Sequence, residues 1–393
     1  MKPITIDLRS FIPVAAAKER LFARKGKRGP IDATFLILVL ILLTFGLVML
    51  FSASYAYAYY NDGDSFYYIK RQLFFAIFGV VTMLFIGTRI NFKILQKYSL
   101  LLFAVTIFLL VAVLFVRDQS GFSRWLYIGS YSFQPSEIAK FAIVVLFAHF
   151  AAQNADRMKT FQYGVLPFGV CLGLVAVLMI LEPHVSGTIL IGMLGIMMMW
   201  FGGTNWRWFA LIAGVGVTAV AVVIFTPNLL EYAQTRVEMW QDPYLDYSGS
   251  GYQTIQSLIA IGSGGLWGTG LGNSKQKYLY IPEPQNDFIF AVVCEELGFI
   301  GAAIIVILFA LLVWRGFIIA VRSTDRFGSL LAAGCTFHVG IQAALNIAVV
   351  TNTIPNTGIS LPFFSSGGTA LLMLLGEMGV ILSVSRTSTL EKR

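Results

Sequence analysis

The sequence predicts an all-α, polytopic integral membrane protein of about ten transmembrane helices, with both termini cytoplasmic and one long extracellular loop. Three observations carry that reading. The 393 residues are 57% hydrophobic and only 12% charged, roughly half the charged share of a soluble domain. Apolar runs recur along the chain, each long enough to cross a hydrocarbon core of about 30 Å as a helix. Lys and Arg are divided unevenly between the two sides that those runs would create.

Spans are predicted near 33–54, 72–90, 98–116, 137–152, 164–181, 188–204, 207–226, 287–314, 328–350 and 363–385. Residues 1–30 form a basic tail holding eight of the 28 Lys and Arg, residues 31–386 one membrane domain, and residues 387–393 a second short tail. With the first tail in the cytoplasm, 20 Lys and Arg fall on the inner side and seven on the outer side, and Lys140 lies within a span. That is the positive-inside pattern. It reads the net charge of +8 as an anchor against the anionic lipid bilayer, with no nucleic acid involved. The first apolar run, Ile31 to Ser54, is longer than a signal-peptide core and is predicted to stay as an uncleaved span. Cys171, Cys294 and Cys335 sit in apolar runs without CxxC spacing, so neither a disulfide framework nor a zinc site is expected. No two of His149, His184 and His338 share a metal-ligand spacing. A Ser-His-Asp signature is also missing.

Three outer segments stand out: 117–137, the long 227–286 and 351–369. In the long one, "NLLEYAQTRVEMWQDP" spaces Leu229, Ala233, Val237 and Trp240 by four, four and three, the pattern of an amphipathic helix at the interface. The following "GSGGLWGTGLGN" lacks the basic residue of a phosphate-binding loop and reads as a tight backbone turn.

The stretch "YIPEPQNDFIFAVVCEELG", 280–298, passes from polar loop into apolar helix at Asp287 and carries Glu295 and Glu296 deeper inside. Asn286 or Asp287 would serve as a helix cap. Alternatively Asp287 is a carboxylate at the water–lipid boundary, partly desolvated and suited to accept a proton. Glu295 follows by two turns on nearly the same face, about 12 Å deeper, so it needs a partner of its own. Lys140 is the candidate cation. In "FQPSEIAKF", Pro135 and Ser136 suit a helix start, and Glu137 and Lys140 lie three apart on one face. They form a surface ion pair or face Asp287 across an outward-open cavity. Arg124 beside Trp125 suits an anionic amphiphile or plain interfacial anchoring. Lys275 and Lys277, outer-side cations just before the Asp287 stretch, join the substrate-binding candidates. Glu377, flanked by glycines, reads as structural. These residues leave two classes open: an enzyme acting on a lipid-linked substrate at the outer face, or a transporter of an amphiphile.

Three stretches in order, "RWLYIGSYSFQPSEIAKF" (124–141), "GYQTIQSLIAIGSGGLWGTGLGNSKQKYLYIPEPQNDFIFAVVCEELGFIG" (251–301) and "NTGISLPFFSSGGTALL" (356–372), resemble the SEDS family of shape, elongation, division and sporulation proteins. The wording before "PE" is closer to its division and sporulation branches than to its rod-elongation branch. The resemblance implies a peptidoglycan glycosyltransferase of the bacterial cytoplasmic membrane, acting at the division septum on lipid II. It places the essential aspartate at Asp287, puts Glu137 and Lys140 in the same cavity, and implies that Trp125 is functionally important. It also implies a class B penicillin-binding protein, a transpeptidase, and other divisome proteins as partners. Pyrophosphate chemistry adds a divalent cation, Mg²⁺ or Mn²⁺, with Asp287 as the candidate ligand. A lipid II flippase, or the elongation or sporulation polymerase of the same family, is the alternative. Two departures from the family pattern are visible. His184 replaces an acidic position in "EPHVSGT", and Gln285–Asn286 replaces histidine–threonine before Asp287.

Overall fold

The computed structural model describes residues 29–116, 124–128, 131–211, 231–247, 249 and 251–387. The chain is a helical bundle: α1 (Ala33–Asp62), α2 (Tyr67–Arg89), α3 (Ser99–Leu114), α4 (Pro135–Gln153), α5 (Leu166–Leu181), α6 (Val185–Gly202), α7 (Glu231–Gln241), α8 (Tyr252–Gly264), α9 (Ile289–Arg322), α10 (Arg326–Val350) and α11 (Gly368–Ser385). Among the described residues eight helices are long and apolar enough to cross a membrane, and the 16-residue apolar α3 adds a shorter one. The predicted span 207–226 lies mostly outside the described residues. The tails 1–28 and 388–393 also lie outside them. A short antiparallel hairpin, β1 (Leu126–Ile128) with β2 (Tyr131–Phe133), is the one sheet among the described residues. It was not expected from an all-α sequence pattern.

Local chemistry sets the ends. Asp32 caps α1 by accepting from Phe35 N at 2.9 Å, and Asp325 caps α10 by accepting from Gly328 N at 3.0 Å. Both carboxylates also hold cations: Arg315 reaches Asp32 at 2.8 Å and Lys93 reaches Asp325 at 2.8 Å. Gly29 N donates to Arg386 O at 3.1 Å, so the start of α1 and the end of α11 meet at one end of the bundle. Asp287, Glu137 and His184 gather at the opposite end, beside the loop before α11.

α4 and α10 form the buried centre. Ala142 through Ala148 of α4 are all fully buried, because other helices surround this one. α2 instead turns Phe74, Ile77, Phe78, Val81 and Phe85 outward, as a lipid-facing helix does. It packs closely on α11, where a Cβ at Gly379 would lie 2.7 Å from Met83 O.

The segment 227–286 is not a loop throughout. α7 covers the predicted amphipathic helix from Glu231, with Leu229 outside the described residues. α8 and the turn after it then pack along α9. At Gly298 the α9 backbone leaves the helical region, with φ 67° and ψ −171°. The break removes the bonds that Glu295 O and Glu296 O would accept from Phe299 N and Ile300 N. Thr269 N and Gly270 N donate to those two carbonyls instead, at 2.9 and 3.0 Å, and Phe299 N and Ile300 N donate to Gly265 O and Leu266 O at 2.9 and 3.2 Å. Backbone groups at membrane depth must find partners inside the protein. The glycine-rich turn supplies all four. Gly268 fits because a Cβ there would lie 2.2 Å from Glu296 O, and its φ of +79° favours glycine. At 1.5 Å per residue the turn meets α9 about 13 Å below its start, so it enters the bundle from one end and returns.

Candidate active site

The cavity at that end has a volume of about 490 Å³, and Arg124, Trp125, Glu137, Lys140, His184, Glu283, Asn286 and Asp287 line it. That volume is within the usual 300–1,000 Å³ range of small-molecule sites. Five of the residues singled out in the sequence, Asp287, Glu137, Lys140, Arg124 and Trp125, thus share one cavity. The alternative that Glu137 and Lys140 form only a surface ion pair is excluded by their burial. Lys140 Nζ lies 2.8 Å from Glu137 Oε2 with both side chains largely covered. It also donates to Gln342 Oε1 at 3.3 Å.

Asp287 sits just before α9 and does not cap it. The residue at the cap position is Phe288, and α9 has no side-chain cap bond. The carboxylate instead faces Gly358, where a Cβ would lie 3.2 Å from Asp287 Oδ2. Gly358 has φ +69°, a conformation glycine adopts freely, and its lack of a side chain keeps the space beside the carboxylate clear. Burial and the neighbouring Glu283 push the Asp287 carboxyl up to about 6, with Arg236 opposing. Burial, with Arg124 adding to it, holds the His184 imidazole down at about 4. His184 is therefore a neutral part of the cavity wall.

Arg124 is anchored to the turn before α6: its Nε donates to Glu182 O at 3.3 Å and its Nη2 to Pro183 O. Gln72 of α2 holds the opposite loop, donating to Ser365 O at 3.2 Å and accepting from Gly367 N at 3.2 Å. Trp240 Nε1 donates to Asn352 O at 3.0 Å, Asn352 Nδ2 to Trp240 O at 3.3 Å, and Arg236 to Asn356 O. The segment 351–367 is thus tied to α2 and α7 around the cavity.

Lys275 and Lys277, expected to meet substrate, do not line the cavity. Lys275 is exposed on the turn. Lys277 is fully buried, with Nζ 2.8 Å from Glu296 Oε1, 2.7 Å from Gly272 O and 3.2 Å from Ser52 Oγ. It, and not Lys140, is the cation that the intramembrane glutamates required. Glu295 accepts from Ser274 Oγ and, at 2.9 Å, from Lys275 N. Glu377 pairs with His338 Nδ1 at 2.8 Å, so His338 is not isolated.

Sequence reasoning missed Gln342 and Asn346, although a signal was present. His338, Gln342 and Asn346 recur every four residues in "FHVGIQAALNIAVV", which places three polar side chains on one face of a membrane helix. Such groups need internal partners, and each of the three has at least one.

As to metals, no three His, Cys, Asp or Glu side chains among the described residues are placed to hold an ion. Asp287 with Glu283 beside it offers two carboxylates. That is enough for a Mg²⁺-type ion completed by substrate oxygens and water.

The helices and this carboxylate- and cation-lined cavity define a polytopic integral membrane protein built around a polar site at one end of its bundle. Residues 32–390 match the family described as FTSW_RODA_SPOVE, cell cycle protein, and the chain belongs to that family, the SEDS proteins. It is 40% identical to "Stage V sporulation protein E" of Bacillus subtilis (strain 168), over 91% of this chain and 97% of that protein. It is 36% identical to "Probable peptidoglycan glycosyltransferase FtsW" of Geobacter sp. (strain M18), over 90% of this chain and 96% of that protein. Among solved structures, a chain from a peptidoglycan synthase complex, described as coordinating polymerization and crosslinking, aligns with a TM-score of 0.75 at 26% identity, covering 92% of this chain and 99% of that one. The rod shape determining protein RodA of Thermus thermophilus shares the fold, with a TM-score of 0.67 at 23% identity over 92% of this chain and 98% of that one.

Proposed function

We propose that this protein is a peptidoglycan glycosyltransferase that polymerises lipid II into β-1,4 glycan strands and releases undecaprenyl pyrophosphate. The observation that carries the reading is one cavity holding a carboxylate raised to about 6 together with Lys140 and Arg124. Lipid II carries its pyrophosphate in α linkage, and a β product requires inversion at the anomeric carbon. A single displacement meets that requirement. The acceptor 4-hydroxyl forms the new bond to the anomeric carbon as the bond to the pyrophosphate oxygen breaks, and the hydroxyl proton passes to Asp287. Lys140 and Arg124 stabilise the leaving pyrophosphate charge, and Glu137 orients Lys140. Where a divalent cation, Mg²⁺ or Mn²⁺, takes part, Asp287 with Glu283 next to it would hold that ion in place of accepting the proton. Such an ion would offset charge at the pyrophosphate.

Free intramembrane carboxylates would favour the flippase alternative as charge relays. Glu295, Glu296 and Glu377 are instead each tied to a fixed partner, which supports the enzyme. The deciding experiment gives purified protein labelled lipid II in detergent. A ladder of glycan products is expected. Translocation in liposomes without polymer would overturn the reading.

The membrane orientation belongs to the same proposal: cavity outside, both termini in the cytoplasm. The support is the 20-to-7 division of basic residues and the meeting of Gly29 with Arg386 at the end away from the cavity. Cysteines placed near Lys25 and Glu391 should resist an impermeant thiol reagent in intact cells, and one near Asp246 should react. Reaction at both termini would reverse the orientation.

A class B penicillin-binding protein transpeptidase is the proposed partner, with other divisome proteins at the septum. The synthase complex that shares this fold supports it. The 40% identity to the sporulation protein favours, as a second reading, the same chemistry in a sporulation setting.

A further inference from the structure

Two buried amides on α10, one turn apart, touch both halves of the site. Asn346 is fully buried. Its Nδ2 donates to the main-chain carbonyl of Asp287 at 2.7 Å and to Ile359 O at 2.7 Å. Gln342 accepts from Lys140 Nζ at 3.3 Å and donates to Ser360 O at 3.1 Å and Ser360 Oγ at 3.3 Å. Ile359 and Ser360 are consecutive, and both follow Gly358, against which the Asp287 carboxylate lies. One unbroken link therefore runs from Lys140 through Gln342 to Ser360, along the backbone to Ile359, and through Asn346 to Asp287.

The chemistry at each joint is specific. Two main-chain carbonyls point at one amide nitrogen, and only a donor with two hydrogens satisfies both. A carboxylate there would repel both, and an apolar side chain would leave two buried acceptors unpaired. Gln342 uses both ends of its amide: its oxygen accepts from a cation, and its nitrogen donates to the loop.

On the polymerase reading above, we propose that Gln342 and Asn346 are positioning residues that fix the separation of Asp287 and Lys140 through the 358–360 segment. The two groups act on opposite ends of one displacement, the incoming hydroxyl and the departing pyrophosphate. Small misplacements of reacting groups can cost up to about 10²-fold, so the link acts on the chemical step and leaves substrate capture alone.

The experiment measures lipid II polymerisation by Asn346→Ala, Asn346→Ser, Gln342→Ala and the double alanine variant, beside wild type and Asp287→Asn. Each is checked for a monodisperse, folded species. Expected are a kcat at least about 10-fold lower for each alanine variant with KM near wild type, and a smaller loss for Asn346→Ser, which keeps one donor. The double variant should cost little more than the worse single one, because both changes cut the same link. If Asn346→Ala does not fold, Asn346→Ser and Gln342→Ala decide. Multiplicative losses in the double variant, a change confined to KM, or full kcat would overturn the positioning role. Those results would stand with an inactive Asp287→Asn, and so with the polymerase intact. An active Asp287→Asn would instead remove the catalytic reading, and the positioning role with it.

Discussion

Asp287→Asn is expected to lower the rate of lipid II polymerisation at least about 10²-fold in a protein that still inserts and folds. Asparagine matches aspartate in size and fits beside Gly358, but it cannot take a proton or carry charge. The result is clean because Asp287 makes no capping bond to α9. Loss of activity therefore has no route through an unwound helix end. The carbonyl that Asn346 holds belongs to the backbone and survives the change. Near wild-type glycan chains from Asp287→Asn would sink the catalytic assignment.

The same carboxylate sets the pH dependence. With its pKa at about 6, Asp287 is a base only when ionised, so the rate should fall as pH drops through that value. Glu283 raises this pKa and Arg236 lowers it. Glu283→Gln should accordingly move the acid limb to lower pH, and Arg236→Gln should move it to higher pH. An acid limb that ignores both changes would assign the titration to another group.

Much of the architecture was legible because lipid imposes one strict rule. Each span must be a long apolar helix, and runs such as 33–54 and 328–350 announce themselves. The cavity residues were legible in part. Glu137 and Lys140 are ions in an apolar run, and such ions need a reason to be there. The pairing of ions across distant segments was not legible. Nothing local tells that Lys277, in a polar stretch, dives to meet Glu296, while Lys275 stays exposed. The break at Gly298 was hidden for a related reason. "EELGFIG" reads as ordinary helix, and the four backbone bonds that stabilise the break come from residues about 30 positions earlier. The hairpin β1–β2 has three residues per strand, too few for an alternating pattern to register.

The contrast between the two lysines gives the largest expected stability effect. Lys277→Met should destabilise the folded protein by about 3–5 kcal/mol, because it leaves the Glu296 carboxylate buried without its cation. Ser52 Oγ at 2.7 Å and Gly272 N at 3.0 Å still donate to Glu296, but neither carries charge. The damage should centre on the glycine-rich turn, which Lys277 ties through Gly272 O, and so on the segment that fills the break in α9. Lys275→Met is the internal control. Its side chain is exposed, and the bond from this residue to Glu295 is made by the main chain, so its effect should stay within about 0.5 kcal/mol. Adding Glu296→Leu to Lys277→Met removes the stranded charge and should recover much of the loss, as apolar replacement of a whole buried pair often does. The readout is the melting temperature in detergent for the four proteins. If Lys277→Met melts with Lys275→Met, the pair does not hold the turn. If the double variant melts below the single one, the buried charge was not the cause.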